Sequence, residues 1–180
     1  MPSYRFAKRL ATSLALAAGA APASLAPVAA GEAGAPDTSG AYHSSISPAG
    51  LAAILGGEGG AIRLREGADT SLAGEVDGAY YAVYFYDCDG AGFAAPAAPG
   101  SACLGFEYRA NYEGLPSDDE LVNAFNASHH YGALWRDDVG DLALQLNVIV
   151  EGGVTTDNIR ATFAWWREVL RSFDEFMEER

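Results

Sequence analysis

The stretch from Val122 to Phe176 constrains the fold more than any other part of the chain. It reads VNAFNASHHYGALWRDDVGDLALQLNVIVEGGVTTDNIRATFAWWREVLRSFDEF. The pattern predicts a helix end, a strand, a tight acidic turn, a second strand with alternating apolar residues, a Gly-Gly break and a long helix with a wide aromatic face. Helices beside an antiparallel hairpin predict a compact α+β module. This order of elements contains no set of residues that would carry out a reaction.

Residues 1–30 have the pattern of a secretory signal peptide. A basic start is followed by an uncharged run rich in Ala and Leu, and Val28-Ala29-Ala30 provides small residues for signal cleavage. The alternative is an uncleaved membrane anchor, but Pro22 and Pro27 interrupt the apolar run and its residues are only weakly hydrophobic. We therefore expect cleavage after Ala30 and a bacterial periplasmic or secreted protein that has no membrane contact afterwards.

The charge of the chain is strongly acidic, with 11 basic and 24 acidic residues and a formal net charge of −13. Three of the basic residues lie in the predicted signal peptide, so the mature chain would carry eight basic against 24 acidic residues, a charge of −16. Lys8 is the only lysine. Such a charge repels phosphate backbones and anionic lipid, so we expect neither nucleic acid nor a membrane surface as a partner.

The mature chain divides into a short leader and one domain. Residues 31–45 are small, polar and patternless, which predicts a disordered leader, and residues 46–180 predict the α+β domain. Within the domain, Ile46–Leu55 predicts a first helix and Ile62–Leu64 a half-exposed strand. Gly67–Gly78 is expected to form a loop or a weak strand.

Tyr80–Tyr86 predicts the strongest strand, because aromatic and β-branched residues suit a pleated surface. One of its faces carries the tyrosines Tyr80, Tyr84 and Tyr86. Tyrosine gives a large contact area at low entropic cost, so this face favours a recognition surface. The alternative is that a helix covers the face. A partner strand is expected at Leu104–Arg109.

The two cysteines, Cys88 and Cys103, flank the loop between these strands. In an oxidising compartment a pair of this kind predicts a structural disulfide, and the alternative of a metal or catalytic thiol pair lacks a Cys-x-x-Cys motif. Glu107 and Arg109 share one strand face, and their i, i+2 spacing predicts an exposed surface pair more than an acid/base couple.

The predicted helix starts carry capping residues, namely Ser47, Ser117 with Glu120 in a capping box, and Thr155 or Thr156. The last helix has an apolar stripe that Trp165, Val169 and Phe176 widen well beyond what one sheet can cover. We expect this surplus either to lie under the first helix or to form a subunit interface.

Candidate chemistry is sparse. Asp138 and Asp141 loosely match calcium-loop spacing, but no bidentate Glu follows and both lie at a predicted hairpin turn, where Asp is common. They are weak candidates for a cation site. Adjacent residues on a helix point about 100° apart, so His129 and His130 cannot bind one metal together from a regular helix. The sequence therefore predicts no catalytic residues and no cofactor.

Several segments resemble the YbjN family, and in particular its exported members with a cysteine pair. They are FYDC, a second Cys before LGFEYRA, VNAFNA, YGALWRDDVGDLALQLNVIVEGGVT and the closing helix. The resemblance implies a fold like the type III secretion chaperones, with the order α-β-β-β-α-β-β-α and helices packed on a single antiparallel sheet. It also implies a regulator of sensory transduction, with no catalytic residues attached to the motif. Trp165-Trp166 is bulkier than the family pattern, which favours a dimer or partner interface there.

The leading functional hypothesis is a non-enzymatic, exported protein-binding or chaperone-like regulatory module, with an unidentified protein partner or a second copy of the chain bound to a sheet or helix face. The alternative is a periplasmic domain that binds a small ligand or a cation through the tyrosine face or the Asp138/Asp141 turn.

Overall fold

The computed structural model describes residues 40–58, 61–64, 72–89 and 97–180. In those ranges the chain is an α+β domain with antiparallel sheets and three helices, as the sequence predicts. The elements in chain order are β1 (Tyr42–His43), α1 (Pro48–Leu55), β2 (Ala61–Leu64), β3 (Leu72–Val76), β4 (Ala79–Cys88), β5 (Cys103–Tyr112), α2 (Asp119–Ser128), β6 (Ala133–Arg136), β7 (Leu142–Ile149), β8 (Val154–Thr155) and α3 (Thr156–Glu178).

The main sheet has six antiparallel strands in the order β2-β3-β4-β5-β7-β6. Its centre is the long β4–β5 pair, in which Val83 lies opposite Tyr108 and Phe85 opposite Phe106. These side chains are all buried. Alternation along β4 therefore directs one row of aromatic and β-branched residues into the core and the tyrosines between them to the other face.

The strand β3 corrects the predicted element order, because the predicted order has three strands between α1 and α2 and the structure has four there, β2 to β5. Leu72 and Val76 are buried on the core side of β3, while the Ala and Gly residues between them weaken the apolar alternation. Gly74 leaves room for the ring of Tyr81, since a Cβ there would lie 2.4 Å from Tyr81 Cζ. The turn that joins β3 to β4 has positive φ at Asp77 (53°) and Gly78 (87°), which is typical of a tight hairpin.

The predicted leader ends earlier than residue 45. Tyr42–His43 pairs with Val154–Thr155 to form a separate two-stranded sheet, so the prediction of disorder is wrong for residues 40–45. A strand of two residues has no periodicity that a sequence pattern could reveal. The predicted signal peptide and residues 31–39 lie outside the described residues.

The hydrophobic core lies between the helices and one face of the main sheet. The α3 residues Phe163 and Trp166 contact Tyr108, with ring centres 5.9 and 5.7 Å apart, and Phe173 contacts Phe125 of α2 at 5.7 Å. Helix α1 packs against α3 and β2, and its Leu51 is fully buried in the same cluster. All three helices therefore cover the same face of the sheet.

The helix caps agree with the sequence at two of three positions. The Ser47 hydroxyl accepts from the Gly50 amide at 3.0 Å, and Thr155 caps α3. The start of α2 differs, because Asp118 is the N-cap and its carboxylate accepts from the Leu121 amide at 2.8 Å. Ser117 is used elsewhere, as its hydroxyl donates to the carbonyl of Gly140 in the β6–β7 turn at 2.7 Å.

The predicted disulfide is present between Cys88 and Cys103, which lie opposite each other at the ends of β4 and β5. The backbone of Cys103 also exchanges two hydrogen bonds with Ile46, of 2.9 and 3.0 Å. The disulfide therefore cross-links β4 and β5 next to Ile46, which precedes α1 in the chain.

Candidate interface on the open sheet face

The face of the main sheet opposite the helices is not covered by any of the described helices. We call it the open face. Strand register and alternation place on it Tyr80, Tyr84, Tyr86, Glu107, Arg109, Trp135 and Ile149. Tyr80 is 75 % exposed and Ile149 is 74 % exposed. These two residues lie at opposite ends of the open face, and the aromatic side chains of Tyr84, Tyr86 and Trp135 lie on the same face, which makes the open face the candidate contact surface.

The centre of the open face is a cluster of a carboxylate, a guanidinium and two aromatic rings. Glu107 and Arg109 form an ion pair. The Arg109 Cζ atom lies 4.6 Å from the centre of the Tyr84 ring and 5.2 Å from that of Trp135. The two rings hold the guanidinium in a fixed position through cation–π contacts.

Glu107 corrects the prediction of an exposed surface pair, since this residue is only 3 % exposed. Alternation along β5 correctly places it on the face away from the core, but Tyr84 lies opposite it on β4 and the Arg109 side chain pairs with it there. Burial raises the pKa of the Glu107 carboxyl above its ordinary value, and the neighbouring Arg109 charge opposes part of that rise.

Two hydrogen-bond donors in this cluster have no protein acceptor. Arg109 Nε and Trp135 Nε1 are both buried without a partner. Buried polar groups normally have a partner, so these two donors are unusual within the described residues. Arginine, tyrosine and tryptophan are also the residue types that dominate the energetics of protein contacts.

The three predicted tyrosines lie together on the open face. Tyr80 is strongly exposed, whereas Tyr84 and Tyr86 are half-buried among their neighbours. Of the two alternatives for this face, a covering helix is wrong for the described residues, because the helices pack on the opposite side. A role of these tyrosines in recognition stays a prediction.

One end of the open face is a groove of about 600 Å³. In the sheet, Tyr86, Gly105 and Ile149 lie side by side on neighbouring strands. Gly105 has no side chain, and this leaves a gap between the Tyr86 ring and the Ile149 side chain. The lining also includes Asn147 and Glu151.

The sequence did not identify Trp135 or Ile149 as members of this surface. The signal was present, because Ile149 follows Gln145 and Asn147 at the polar positions of β7, where an apolar residue is out of pattern. Trp135 occupies the corresponding position on the short strand β6, which has too few residues to assign a face with certainty from alternation alone.

Comparison with protein families gives a match over residues 47–179 to the family YbjN, described as "Putative bacterial sensory transduction regulator". The match spans more than half of the chain. The chain belongs to the YbjN family. No curated protein and no solved structure matches it.

Asn126 of this YbjN protein has a structural role. Its side-chain amide donates to the carbonyl of Leu134 and accepts from the amide of Leu134, both at 2.8 Å. Strand β6 is an edge of the main sheet, and the Asn126 amide pairs with its outer backbone groups as another strand would. The side chain therefore protects an edge that would otherwise be available for aggregation.

The Gly-Gly step before α3 is also structural in this YbjN protein. Gly152 and Gly153 both have positive φ, of 83° and 104°. The Tyr42 hydroxyl donates to the Gly152 carbonyl at 3.0 Å, and a Cβ on Gly153 would lie 1.9 Å from that hydroxyl. The two glycines thus form the turn and leave room for the Tyr42 ring, which connects β1 to the domain.

Of the three residues in the predicted interface on the last helix, Val169 is buried within the domain, and a role of the other two in contact with a partner stays a prediction. Val169 is only 5 % exposed and packs against Gly132, where a Cβ would lie 2.5 Å from a Val169 methyl group. Phe176 is half-buried, with its ring 5.3 Å from that of Phe125. The surplus apolar surface of α3 is therefore covered by α2 and by the segment that leads into β6.

Trp165 is the exposed member of the predicted helix interface. It is 43 % exposed and stacks on Tyr131, with ring centres 4.1 Å apart. This pair is smaller than the open face and lies on the helical side of the domain. None of the described helices is long and apolar enough to cross a membrane.

The acidic turn between β6 and β7 uses its carboxylates for backbone hydrogen bonds. Asp137 Oδ1 accepts from the amides of Val139 and Asp141, at 3.0 and 2.9 Å, and Asp141 Oδ1 accepts from the Gly114 amide at 3.2 Å. These contacts are typical of turn chemistry. Among the residues that the structure describes, no three His, Cys, Asp or Glu side chains come close enough to hold a metal ion.

Proposed function

We propose that this YbjN protein is a non-enzymatic, exported module that binds another protein through its open face and acts as a regulatory or chaperone-like component of the periplasm. The observation that carries the proposal is the open face itself, with Tyr80 and Ile149 exposed around an ordered Tyr84–Arg109–Trp135 cluster. The family description, a regulator of sensory transduction, supports a role that depends on contact with a partner.

The proposal extends to the fold relationship and to the location. Three helices on one face of an antiparallel sheet support the likeness to type III secretion chaperones that the sequence implies. The disulfide between Cys88 and Cys103 supports an oxidising compartment. Mass measurement of the exported protein tests the location, because cleavage after Ala30 predicts a mature chain that starts at Gly31.

A charge on the open face tests the proposed function. Tyr80→Asp introduces a carboxylate at a residue that is 75 % exposed, and Val139→Asp introduces the same charge at a residue that is 82 % exposed in the β6–β7 turn. We expect affinity capture from periplasmic extract to recover the same partner with the wild type and with Val139→Asp, and at least tenfold less of it with Tyr80→Asp. Equal recovery by all three proteins would refute a role of the open face.

The small-ligand alternative has one observation in its favour, the groove of about 600 Å³ at Gly105, which is within the size range of ligand pockets. A thermal-shift screen with metabolites and divalent cations separates the two functions. A saturable rise in Tm that disappears in Ile149→Asp would favour the ligand-binding domain over the protein-binding module.

A further inference from the structure

The groove at the end of the open face has little room for a side chain at Gly105. A Cβ on Gly105 would lie 3.0 Å from the carbonyl oxygen of Val148 and 4.0 Å from the Tyr86 ring. The groove floor is therefore backbone, and its walls are the ring of Tyr86 and the exposed side chain of Ile149. An apolar surface of this kind can pack against the aliphatic stem of a long side chain.

The rim of the groove is acidic. Glu151 is exposed at one end and Asp87 lines the other side, and the described lining contains no Arg, Lys or His. Arg109 lies on the same strand as Gly105, four residues further along, and is engaged by Glu107 and by two aromatic rings. A positive charge that enters the groove would therefore find the Glu151 carboxylate there, and no cation of the described lining to repel it.

The charge of the whole chain also favours a cationic partner. The formal net charge is −13, and the mature domain has no lysine. A field of this sign raises the local concentration of cationic partners and speeds their association. An aliphatic stem with a positive end describes the side chains of arginine and lysine, which bury their methylene groups and keep the charge in water.

We propose that the groove binds an arginine or lysine side chain from an extended, basic segment of the partner protein. The aliphatic stem lies over Gly105 between Tyr86 and Ile149, and the cationic group pairs with Glu151. This inference rests on the proposed function, since it names the chemistry of the partner that the open face recognises.

A titration with defined peptides tests the proposal. The probe is an acetylated and amidated peptide with the core Leu-Arg-Leu-Arg-Leu, added to the ¹⁵N-labelled mature protein. The matched peptides carry Gln or Glu in place of both Arg residues. We expect saturable shifts at the amides of Gly105, Ile149 and Glu151 with the Arg peptide, at least tenfold weaker binding of the Gln peptide, and no binding of the Glu peptide.

Matched variants test whether Glu151 provides the charged contact with the peptide and whether Ile149 provides the apolar contact. Glu151→Gln should weaken binding of the Arg peptide about fivefold to tenfold, whereas Glu113→Gln, the same change at an exposed residue after the other end of β5, should leave it unchanged. Ile149→Ser should weaken it by a similar factor, and Val139→Ser should not. Because these residues are all exposed, the variants are expected to fold.

Three results would overturn the inference. They are equal binding of the Arg and Glu peptides, shifts confined to other surfaces such as the acidic side of α3, and saturable binding of spermidine that matches the Arg peptide. The last result would assign the groove to a small organic cation. If the peptides fail but Tyr80→Asp still abolishes capture of the partner, the inference falls and the proposed function stands. If both fail, the proposed function falls as well.

Discussion

Reduction of the disulfide between Cys88 and Cys103 should lower the free energy of unfolding, because the unfolded chain regains the conformational entropy that the cross-link removes. The two cysteines are 15 residues apart in sequence. In the chain-entropy model a cross-link that closes a loop of that size stabilises the fold by about 3 kcal/mol. Both cysteines are buried, so reduction in place keeps the side chains in the core and changes only the cross-link.

Urea unfolding of residues 31–180, followed by tryptophan fluorescence, to which the buried Trp166 contributes, measures this difference with and without reductant. With a slope of about 1.5 kcal/mol/M, a loss of 3 kcal/mol lowers the midpoint by about 2 M urea. The double variant Cys88→Ala/Cys103→Ala is the control, since its stability should not respond to reductant.

The structure also predicts where the weakening appears first. Ile46 and Cys103 exchange two backbone hydrogen bonds next to the disulfide, so their amides should lose hydrogen-exchange protection on reduction before those of the β5–β7 pair do. The reasoning would be refuted if the oxidised and reduced proteins differed by less than about 1 kcal/mol in free energy of unfolding, or if protection fell uniformly across the sheet.

Three further predictions concern the edge strand, the Gly-Gly turn and the buried carboxylate. Asn126→Ala should cost about 2 kcal/mol in free energy of unfolding and promote aggregation, because the edge of β6 loses both hydrogen-bond partners at Leu134. Asn123→Ala on the exposed side of α2 should change neither quantity. Urea unfolding measures the stability and light scattering measures the aggregation. Gly153→Ala should abolish hydrogen-exchange protection of β1, whereas Gly152→Ala, which meets no neighbouring atom, should cost only the backbone strain of about 1 to 2 kcal/mol. The raised pKa of Glu107 means that the folded state holds this proton more tightly than the unfolded chain, so its contribution to stability is largest at low pH and falls as the pH rises. The free energy of unfolding of the wild type, relative to Glu107→Gln, should therefore decrease as the pH rises above the ordinary range of a carboxyl pKa, and a difference independent of pH would contradict the burial argument.

The parts of the fold that the sequence predicts are those with strong local signals. The β6–β7 hairpin has a turn rich in Asp and Gly followed by the alternating residues of β7, and α3 has a long apolar stripe with a Thr cap. The cysteine pair is predicted by compartment and spacing. In each case the structure agrees, because short-range pattern and long-range packing require the same residues.

The parts that the sequence misses depend on neighbours that lie far away along the chain. Val169 is buried because Gly132 lets a different segment approach the helix. Glu107 is buried beside Tyr84 of a neighbouring strand and Arg109, whose guanidinium lies near the rings of Tyr84 and Trp135. Alternation along a strand indicates which face of the sheet a residue lies on, but it does not indicate which side chains from other segments cover that face. The sequence therefore predicted both α3 and the tyrosine face as candidate interfaces, and the sheet register added Trp135 and Ile149 to the second of them.

The open face as the contact surface is the central claim, and site-specific photocrosslinking in the native exported protein tests it most directly. A photoreactive phenylalanine analogue replaces Tyr80 on the open face or, in a parallel sample, Trp165 on α3, two exposed aromatic positions on opposite sides of the domain. We predict a discrete crosslinked product with a partner protein from position 80 and none from position 165. A product from position 165 alone would contradict the account and return the interface to the helix.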